Sequence, residues 1–504
     1  MAKKKKIWAA GCFVLFVLLA FVLNLHLRNL ERSEYITYPD YPEHPGLEVK
    51  IKGNGYNLLL ITVDTLRTDY LSANGYDLNT TPSADQLIKG GLYFSRAITP
   101  VPRTTQALAC LLTGCYPHKA GVRYLWDGLS WKTITLAEIL KEVNYQTIAV
   151  VSNHVLPPER RLDRGFNKYD FGTDKRDAVK TTQAAIKHLN KLNSEAPFFL
   201  WVHYIDPHVP YYPPKDIAIE FDPNYAGRYK THFGDKPGGI GEHAYPKDIG
   251  KERAVYHNDL GEEVNQHIRR LYAADIKLAD IGMKQLVEAA QKHAGNNLLI
   301  VFTADHGESL GEHDYYFEHG AYVYNPELRV PLAFVLPEDH SKNLMGRVND
   351  WVSLIDVLPT TLDLLGIDVL SSHLDNIDGR SLMPYWNGRP IESRPIFAES
   401  GKCYFPKSIK RRVRFDISGR FRCVIFNEWK LIWTPYQKGV LLYELYNTEL
   451  DPDETKDLYS PDHPKAKILM KYLQQWMAQH SQKPRETRPS KKDLEALRSL
   501  GYIK

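Results

Sequence analysis

The amino-acid sequence predicts an α/β protein, in which helices sandwich a mostly parallel β-sheet and a small C-terminal antiparallel sheet carries one helix. Between residues 55 and 395, short apolar stretches alternate with longer amphipathic ones, as parallel strands joined by helical crossovers require. Several of these stretches are almost continuously apolar, which is typical of strands buried on both faces. After about residue 396 the pattern changes to short strands separated by turns.

The composition is that of an ordinary folded protein. The chain has 504 residues, of which 43% are hydrophobic and 25% charged, so one large domain and a smaller one are expected. Residues 1–32 contribute +5 to the net charge of +4, which leaves about −1 for the rest and gives no basis for nucleic-acid binding. Five cysteines do not form a disulfide framework, although Cys403 and Cys423 could pair.

The first 54 residues are predicted to precede the folded domain. Residues 7–25 are apolar and uncharged, and as a helix they would span about 29 Å, enough for a bilayer core. The basic flank at residues 1–6 predicts a cytoplasmic N-terminus and a single-pass membrane protein whose folded domain is periplasmic or extracellular. A cleaved signal peptide is the alternative. Residues 26–54, which are rich in proline, are interpreted as a linker.

The folded part divides into a main domain at residues 55–395 and a C-terminal subdomain at residues 396–504. In the main domain we expect strands at 58–63, 146–152, 198–204 and 298–303, and helices at 135–143, 178–192 and, with a break, 263–293. Residues 213–260 are polar and predict a long insertion beside the functional site. In the subdomain we expect strands at 423–426, 430–434 and 441–444, a helix at 464–480 and a short helix at 494–502.

Acidic residues follow two of the apolar stretches. Asp64 ends the stretch that begins at residue 58, and Asp305 and His306 end the stretch that begins at residue 298. Because α/β proteins build their sites at the carboxyl ends of parallel strands, these side chains are candidate ligands of a divalent metal. Their mixture of oxygen and imidazole donors suits Zn²⁺ or Mn²⁺ somewhat better than Ca²⁺ or Mg²⁺.

In the run at residues 102–114, Thr104 and Thr105 come just before a small, apolar helical segment. A helix N-terminus presents free N–H groups and partial positive charge, which favour a bound anion. A hydroxyl held there could attack a phosphate or sulfate ester, and the alternative is that Thr104 or Thr105 serves only as a helix N-cap.

Further motifs follow in order along the chain: Asp206-Pro207-His208-Val209-Pro210-Tyr211, Arg329-Val330-Pro331-Leu332, Asp378-Gly379-Arg380-Ser381-Leu382, and Leu445-Tyr446 with Asp451-Pro452-Asp453-Glu454-Thr455. Together with the stretches above, they resemble the sulfatase branch of the alkaline phosphatase superfamily, from about Tyr56 to the C-terminus. In that family the nucleophile lies nine residues before the Thr of a Thr-Gly pair, and counting back from Thr113 gives Thr104.

The resemblance implies roles for individual residues. The metal ligands would be Asp64, Thr104, Asp305 and His306, and related sulfatases use calcium, so Zn²⁺, Mn²⁺ and Ca²⁺ all stay open. His208 and His319 would bind the transferred group or protonate the leaving group. Arg103 adjoins the nucleophile and is a further substrate-binding candidate. Weaker candidates, more readily explained as structural or solvated, are Arg67, Arg123, His118, His154 and His203.

One departure from the family changes the expected chemistry. Sulfatases that make formylglycine need Cys or Ser in Cys/Ser-x-Pro/Ala-x-Arg, and here the corresponding residues are Thr104-Thr105-Gln106-Ala107-Leu108. No formylglycine can form, so a threonine ester must be broken by water or by an acceptor, as in Thr-dependent phosphodiesterases and phosphoethanolamine or phosphoglycerol transferases. Thr65 occupies the position at which many sulfatases have a second metal-binding Asp, and in this respect the chain also resembles the phosphonate and phosphodiester hydrolases.

These observations predict a membrane-anchored, metal-dependent hydrolase or transferase with a Thr nucleophile that acts on phosphate or sulfate esters of glycans or lipids. Phosphodiester chemistry is favoured over sulfate ester hydrolysis. The alternatives are a sulfuric ester hydrolase proper and a non-catalytic protein that binds an anionic glycan. The sequence does not name the substrate.

Overall fold

The structure is a computed structural model that describes residues 47–53, 55–172, 176–193, 195–227, 229–233, 260–337, 344–369, 374, 377–402, 420–437 and 440–479. The strands are, in order from β1 to β16, Val49–Ile51, Asn57–Val63, Leu92–Ile98, Gln146–Val151, Lys168–Phe171, Phe198–Tyr204, Leu298–Ala304, Ser309–Leu310, Tyr316–Glu318, Arg329–Val335, Gly346–Ser353, Ile367–Val369, Ile396–Glu399, Arg422–Phe426, Trp429–Gln437 and Val440–Asn447. The α-helices are, from α1 to α10, Pro82–Gly90, Thr104–Thr113, Pro117–Ala120, Leu136–Glu142, Ala178–Leu189, Lys215–Phe221, Glu262–Ala294, Asn325–Leu328, Val357–Leu365 and Pro464–Ala478.

The main sheet has eight strands in the order β11-β3-β10-β7-β2-β6-β4-β5. Seven of them run in one direction, and β10 lies antiparallel to both of its neighbours, β3 and β7. Every residue of β6 and β7 is buried. Since successive side chains of a strand point to opposite faces, both faces of the sheet are covered at its centre. The predicted α/β class is confirmed, although the sequence had not indicated the antiparallel strand β10.

The long helix α7 packs closely against α5. It is continuous over 33 residues, so the predicted break is wrong. Gly282 lies at the contact, where a Cβ would come within 2.8 Å of Thr182 Oγ1 and 3.0 Å of the Ala178 carbonyl oxygen. The absence of a side chain at Gly282 therefore lets the two helices approach closely.

The C-terminal sheet is antiparallel, in the order β13-β14-β15-β16, as predicted. Helix α10 covers it, and Trp476 stacks on Phe397 of β13 with ring centroids 5.0 Å apart. Tyr116 meets the same indole edge-on at 5.4 Å and belongs, with Cys110 of α2, to the apolar cluster of this sheet. The subdomain thus packs directly on the segment that contains the candidate nucleophile.

Several sequence-based expectations fall outside the described residues. They are most of the linker at 26–54, part of the insertion at 213–260, the C-terminal helix at 494–502, and Cys403. Cys423 is a buried free thiol in β14.

The predicted membrane localisation needs correction. In the described part of the chain, no helix combines the length and the apolar character needed to cross a bilayer. The stretch at residues 7–25, on which the prediction rested, lies outside that part. A single-pass membrane protein with a cytoplasmic N-terminus is therefore not supported.

Candidate active site

Two acidic residues meet where neighbouring strands of the main sheet end. Asp64 follows β2 and Asp305 follows β7, and these strands pair in parallel with Val63 opposite Ala304. The backbone N–H of Thr65 donates to Asp305 Oδ1 at 3.2 Å. Both carboxylates are fully buried. The strand order alone therefore brings together two residues that are far apart in sequence.

Side chains from two further strands surround Asp64. Asn153, just after β4, donates from Nδ2 to Asp64 Oδ2 at 2.5 Å. His203, in β6, places Nε2 at 3.5 Å from the same oxygen. Asp64 Oδ2 thus accepts a hydrogen bond from the Asn153 amide and also lies near the His203 imidazole.

The electrostatics of the two carboxylates differ. Burial would raise the pKa of Asp64, but the neighbouring imidazoles, His208 foremost, outweigh it and hold the pKa at about 2. Burial and then the charge of Asp64 raise the pKa of Asp305 well above its usual value. Two buried carboxylates this close favour a positive charge between them.

His306 presents a ring nitrogen to both carboxylates. Its Nδ1 lies 2.9 Å from the Gly307 carbonyl oxygen, which can only accept a hydrogen bond, so Nδ1 holds the hydrogen. The Nε2 atom lies 3.5 Å from Asp305 Oδ2 and 3.8 Å from Asp64 Oδ1. Burial lowers the pKa of His306 to about 4, so the ring is neutral near pH 7 with a lone pair on Nε2.

Thr104 is the first residue of α2, and its Oγ1 lies 3.4 Å from His306 Nε2. Arg103, in extended conformation, occupies the N-cap position, so capping by Thr104 is not the explanation. Thr105 instead donates from Oγ1 to the Val155 carbonyl oxygen at 3.2 Å. The N-terminal end of α2 therefore directs one threonine, and not the other, toward the carboxylates.

The buried polar atoms of this cluster fit a divalent cation. Among the described residues, Asp64 Oδ1, Asp305 Oδ2 and His203 Nε2 make no hydrogen bond. One ligand atom from each of these three residues lies within 4.8 Å of the others. Buried polar atoms are almost always paired, so three unpaired ones that converge call for a charged partner. A mixed set of carboxylates and imidazoles is a donor set for a divalent metal.

Two more histidines extend the cluster. The ring of His319 lies 4.4 Å from that of His306 and 5.1 Å from that of His208, measured between centroids. Glu308 contacts His319 and Tyr211 with its two carboxyl oxygens. Its Oε1 lies 2.9 Å from His319 Nδ1, and its Oε2 accepts a hydrogen bond from the Tyr211 hydroxyl at 2.8 Å. Burial, followed by the charges of His306 and His208, lowers the pKa of His319 well below its usual value.

The side chain of Arg103 packs against Gly320, the residue that follows His319. A Cβ on Gly320 would come within 3.3 Å of Arg103 Cδ, and one on Gly401 within 2.7 Å of Arg103 Cβ. Lys402 donates from its backbone N–H to the Gly320 carbonyl oxygen at 2.7 Å, and its Nζ pairs with Glu318 at 2.8 Å. Two cationic side chains therefore flank this side of the cluster.

The weaker sequence candidates mostly have structural partners. Arg67 pairs with Asp69 and Glu312, and Arg123 pairs with Glu399. The ring of His118 stacks near Tyr116, and His154 is only half-buried. His203 is the exception, because the structure places it at the carboxylates.

Two residues of the cluster, Asn153 and Glu308, had not been singled out as functional from the sequence. His203 had been only a weaker candidate there. The strand ends gave the only usable signal: His203 is the second-last residue of β6, which pairs with β2 so that His203 lies opposite Thr62. Recognising this required the strand order, which the sequence does not reveal.

Comparison with known proteins identifies the family. The family model for sulfatases matches residues 56–367, which is more than half of the chain. The protein belongs to the sulfatase family. A second model, described as the C-terminal part of N-sulphoglucosamine sulphohydrolase, matches residues 311–483 of this sulfatase.

Curated relatives cover most of the chain at low identity. An arylsulfatase of Clostridium perfringens is 24% identical over 482 residues, covering 82% of this chain and 92% of the relative. Human iduronate 2-sulfatase is 26% identical over 430 residues, covering 67% of this chain and 75% of the relative. These matches confirm the predicted enzyme class, an ester hydrolase of the alkaline phosphatase superfamily.

Solved structures share the fold. The phosphonate monoester hydrolase of Agrobacterium radiobacter superimposes with a TM-score of 0.66 at 20% identity, covering 87% of this sulfatase and 99% of that chain. A protein solved in complex with its substrate D-glucosamine-2-N,6-O-disulfate gives the same TM-score at 20% identity, covering 86% and 100%. Sulfatase-family enzymes use a metal ion, in agreement with the donor set described above.

Proposed function

We propose that this sulfatase cleaves an anionic ester with Thr104 as its nucleophile. The observation that carries the proposal is the position of Thr104 Oγ1, which lies 3.4 Å from His306 Nε2 at the N-terminus of a buried helix. A hydroxyl in this position faces carboxylates, imidazoles and the free N–H groups of a helix. Such surroundings suit attack on a tetrahedral anion.

The residues that would hold the metal are Asp64, Asp305 and His306, with Thr104 beside them. A divalent ion bound there supplies positive charge that polarises the ester and lowers the pKa of a nearby hydroxyl. The protein contributes the placement of these groups, because the strand ends and α2 fix them before substrate arrives.

The reaction needs attack by Thr104, protonation of the leaving group and release of Thr104, and different side chains serve these steps. Attack by Oγ1 forms a bond to phosphorus or sulfur and breaks the bond to the leaving alcohol, and the proton that the Thr104 hydroxyl gives up balances the proton that the alcohol gains. His208 and His319 lie in the same cluster as His306, where both can donate hydrogen bonds to the ester oxygens. Protonation of the leaving group is assigned to His208, because the lowered pKa of His319 keeps that ring uncharged. Water or an acceptor alcohol then breaks the threonine ester and releases Thr104.

Phosphodiester chemistry is favoured over sulfate ester hydrolysis. Threonine cannot become formylglycine, and Cys110 and Cys115 are buried at the other end of α2. The Asp-His pair at residues 305 and 306 resembles phosphonate and phosphodiester hydrolases, and two phosphonate monoester hydrolases share the fold. Fold-sharing proteins solved with glucosamine disulfate and with a carrageenan oligosaccharide support a carbohydrate ester as the substrate.

The matched threonines of α2 provide the test. We expect Thr104→Val to lower kcat at least about 10³-fold on aryl phosphodiesters, aryl phosphonates and aryl sulfates assayed with Mn²⁺, Zn²⁺ or Ca²⁺, since an isosteric methyl group has no nucleophilic oxygen. Thr105→Val, which removes only the bond to Val155, should keep most of the activity. Equal rates for both variants would contradict the proposal, and the order of turnover among the three esters identifies the substrate class.

A further inference from the structure

His203 occupies an unusual position for a buried histidine. It lies in β6 between β2 and β4, opposite Thr62 and Val151, and its side chain has no exposure to solvent. Its Nε2 makes no hydrogen bond among the described residues and lies 3.5 Å from Asp64 Oδ2. A histidine with only a structural role would normally have both ring nitrogens paired.

The surrounding hydrogen bonds determine which ring nitrogen has the hydrogen. The indole of Trp201 can only donate, and it donates to Thr62 Oγ1 at 3.0 Å. Thr62 Oγ1 lies 3.4 Å from the Val202 carbonyl oxygen, to which it donates, and 3.0 Å from His203 Nδ1. In this arrangement Nδ1–H donates to Thr62, so Nε2 has the lone pair.

The opposite tautomer explains the distances less well. It would direct Nε2–H at Asp64 Oδ2, and a charge-assisted N–H···O bond is about 2.7–2.9 Å long, shorter than the 3.5 Å observed. Asp64 Oδ2 also already accepts from Asn153 at 2.5 Å. Asp64 therefore does not depend on His203 as a donor, and the imidazole lone pair faces carboxylates that repel it unless a cation lies between them.

We propose that His203 is a ligand of the metal in this sulfatase and that it biases the site toward Zn²⁺ over Ca²⁺. The ligands would then be Asp64, Asp305, His203 and His306, with one imidazole from within β6 and one from the segment after β7. Calcium takes six to eight oxygen ligands, whereas zinc accepts mixed nitrogen and oxygen ligands, usually four and sometimes five, so a fifth position would stay available to the ester. The inference rests on the metal site of the proposed function, but not on the identity of the nucleophile.

The test measures metal binding rather than turnover. Full-length protein stripped with a chelator is titrated with Zn²⁺ and with Ca²⁺ in a calorimeter, for wild type, His203→Gln and His203→Asp. We expect His203→Gln to weaken Zn²⁺ binding by about 10-fold or more and Ca²⁺ binding by less than about 3-fold. His203→Asp, which offers oxygen in place of nitrogen, should shift the ratio of affinities further toward Ca²⁺.

A matched control is available in His188. Its Nε2 lies 2.6 Å from Asp170 Oδ2, so it is also a histidine beside an aspartate, but in α5. His188→Gln should leave both affinities unchanged. Circular dichroism reports whether each variant is folded, and the visible absorption of Co²⁺-loaded protein should change in His203→Gln and not in His188→Gln, because a nitrogen ligand is lost.

Two results would overturn the inference. One is that Zn²⁺ and Ca²⁺ affinities fall by the same factor in His203→Gln with an unchanged Co²⁺ spectrum, which would make His203 a residue that only orients Asp64. The other is that wild type binds Ca²⁺ more tightly than Zn²⁺ or binds neither. An active Thr104→Val variant together with the predicted shift in metal preference would refute the nucleophile and leave the His203 assignment intact.

Discussion

Glu308 shows how one buried side chain can position several others. Its two oxygens contact His319 and Tyr211, and Tyr211 follows His208 by three residues. Its backbone carbonyl accepts from Arg67 at 3.0 Å, so both ends of the residue are fixed. Glu308 therefore connects the segment with His319 to the segment with His208, although it need not touch substrate.

Replacing this carboxylate should impair catalysis without unfolding the protein. We expect Glu308→Gln to lower kcat/KM by about 10- to 100-fold, since leaving a buried hydrogen-bonding group without its partner costs about 1–3 kcal/mol. Tyr211→Phe, which removes one of the two bonds, should have a smaller effect. Steady-state kinetics and circular dichroism check both variants, and unchanged kcat/KM in Glu308→Gln would remove the positioning role.

At the scale of elements, the close contact of α5 and α7 depends on a single glycine. Any side chain at Gly282 would meet Thr182, whose Oγ1 is hydrogen-bonded to the Tyr204 hydroxyl at 2.8 Å. The contact therefore has little freedom to adjust. Tyr272, also in α7, donates to the Thr65 carbonyl oxygen at 2.7 Å, so the helix also holds the turn after β2.

We expect Gly282→Val to destabilise the fold by about 2 kcal/mol, because overpacking at a rigid contact exceeds the roughly 1 kcal/mol that a helix gains on losing glycine. Urea unfolding measures the difference. Gln285→Ala, at an exposed position of the same helix, should change stability by less than about 0.5 kcal/mol. A Gly282→Val protein as stable as wild type would mean that the helices can separate at no cost.

The link between β5 and α5 should be sensitive to acid. Asp170 accepts from His188 and Arg176, at 2.6 and 2.9 Å. Burial opposes ionisation, but these partners lower the pKa of Asp170 from 3.8 to about 2. A depressed pKa stabilises the folded state above the unfolded-state pKa, so this contribution is present at pH 5 and is lost as the pH falls from about 4 to about 2.

Urea unfolding at several pH values isolates this contribution. Wild type should lose about 2 kcal/mol more than Asp170→Asn between pH 5 and pH 2, because the variant has no carboxyl group to protonate there. Parallel curves for the two proteins would show that the ion pair adds no pH-dependent stability.

For the whole molecule, the sheet order decides how much the sequence can reveal. Asp64 and Asp305 were found because each ends an apolar stretch, and parallel strand ends share one edge. The antiparallel β10 and the place of His203 depend on which strands are neighbours, and contacts between residues more than 100 positions apart leave no periodic signal in one sequence. Glu308 looked like an ordinary polar residue for the same reason.

A metal bound at the sheet edge should stabilise the entire fold, because it binds the native state only. Chelation should lower Tm by several degrees, and Zn²⁺ should restore it in wild type. Asp305→Asn should abolish this metal-dependent shift, whereas Asp170→Asn should keep it. Differential scanning fluorimetry measures the effect, and a metal-dependent shift that survives in Asp305→Asn would place the ion elsewhere.

The proposed mechanism requires a covalent bond to Thr104, and trapping that bond is the most direct measurement. Turnover of an aryl phosphodiester is quenched in acid within milliseconds, and the digest is analysed by tandem mass spectrometry. We expect a peptide covering residues 103–114 with the phosphoryl group on Thr104, and we expect no such adduct in Thr104→Val. Turnover by wild type without any adduct on Thr104, or with the adduct on another residue, would contradict the mechanism.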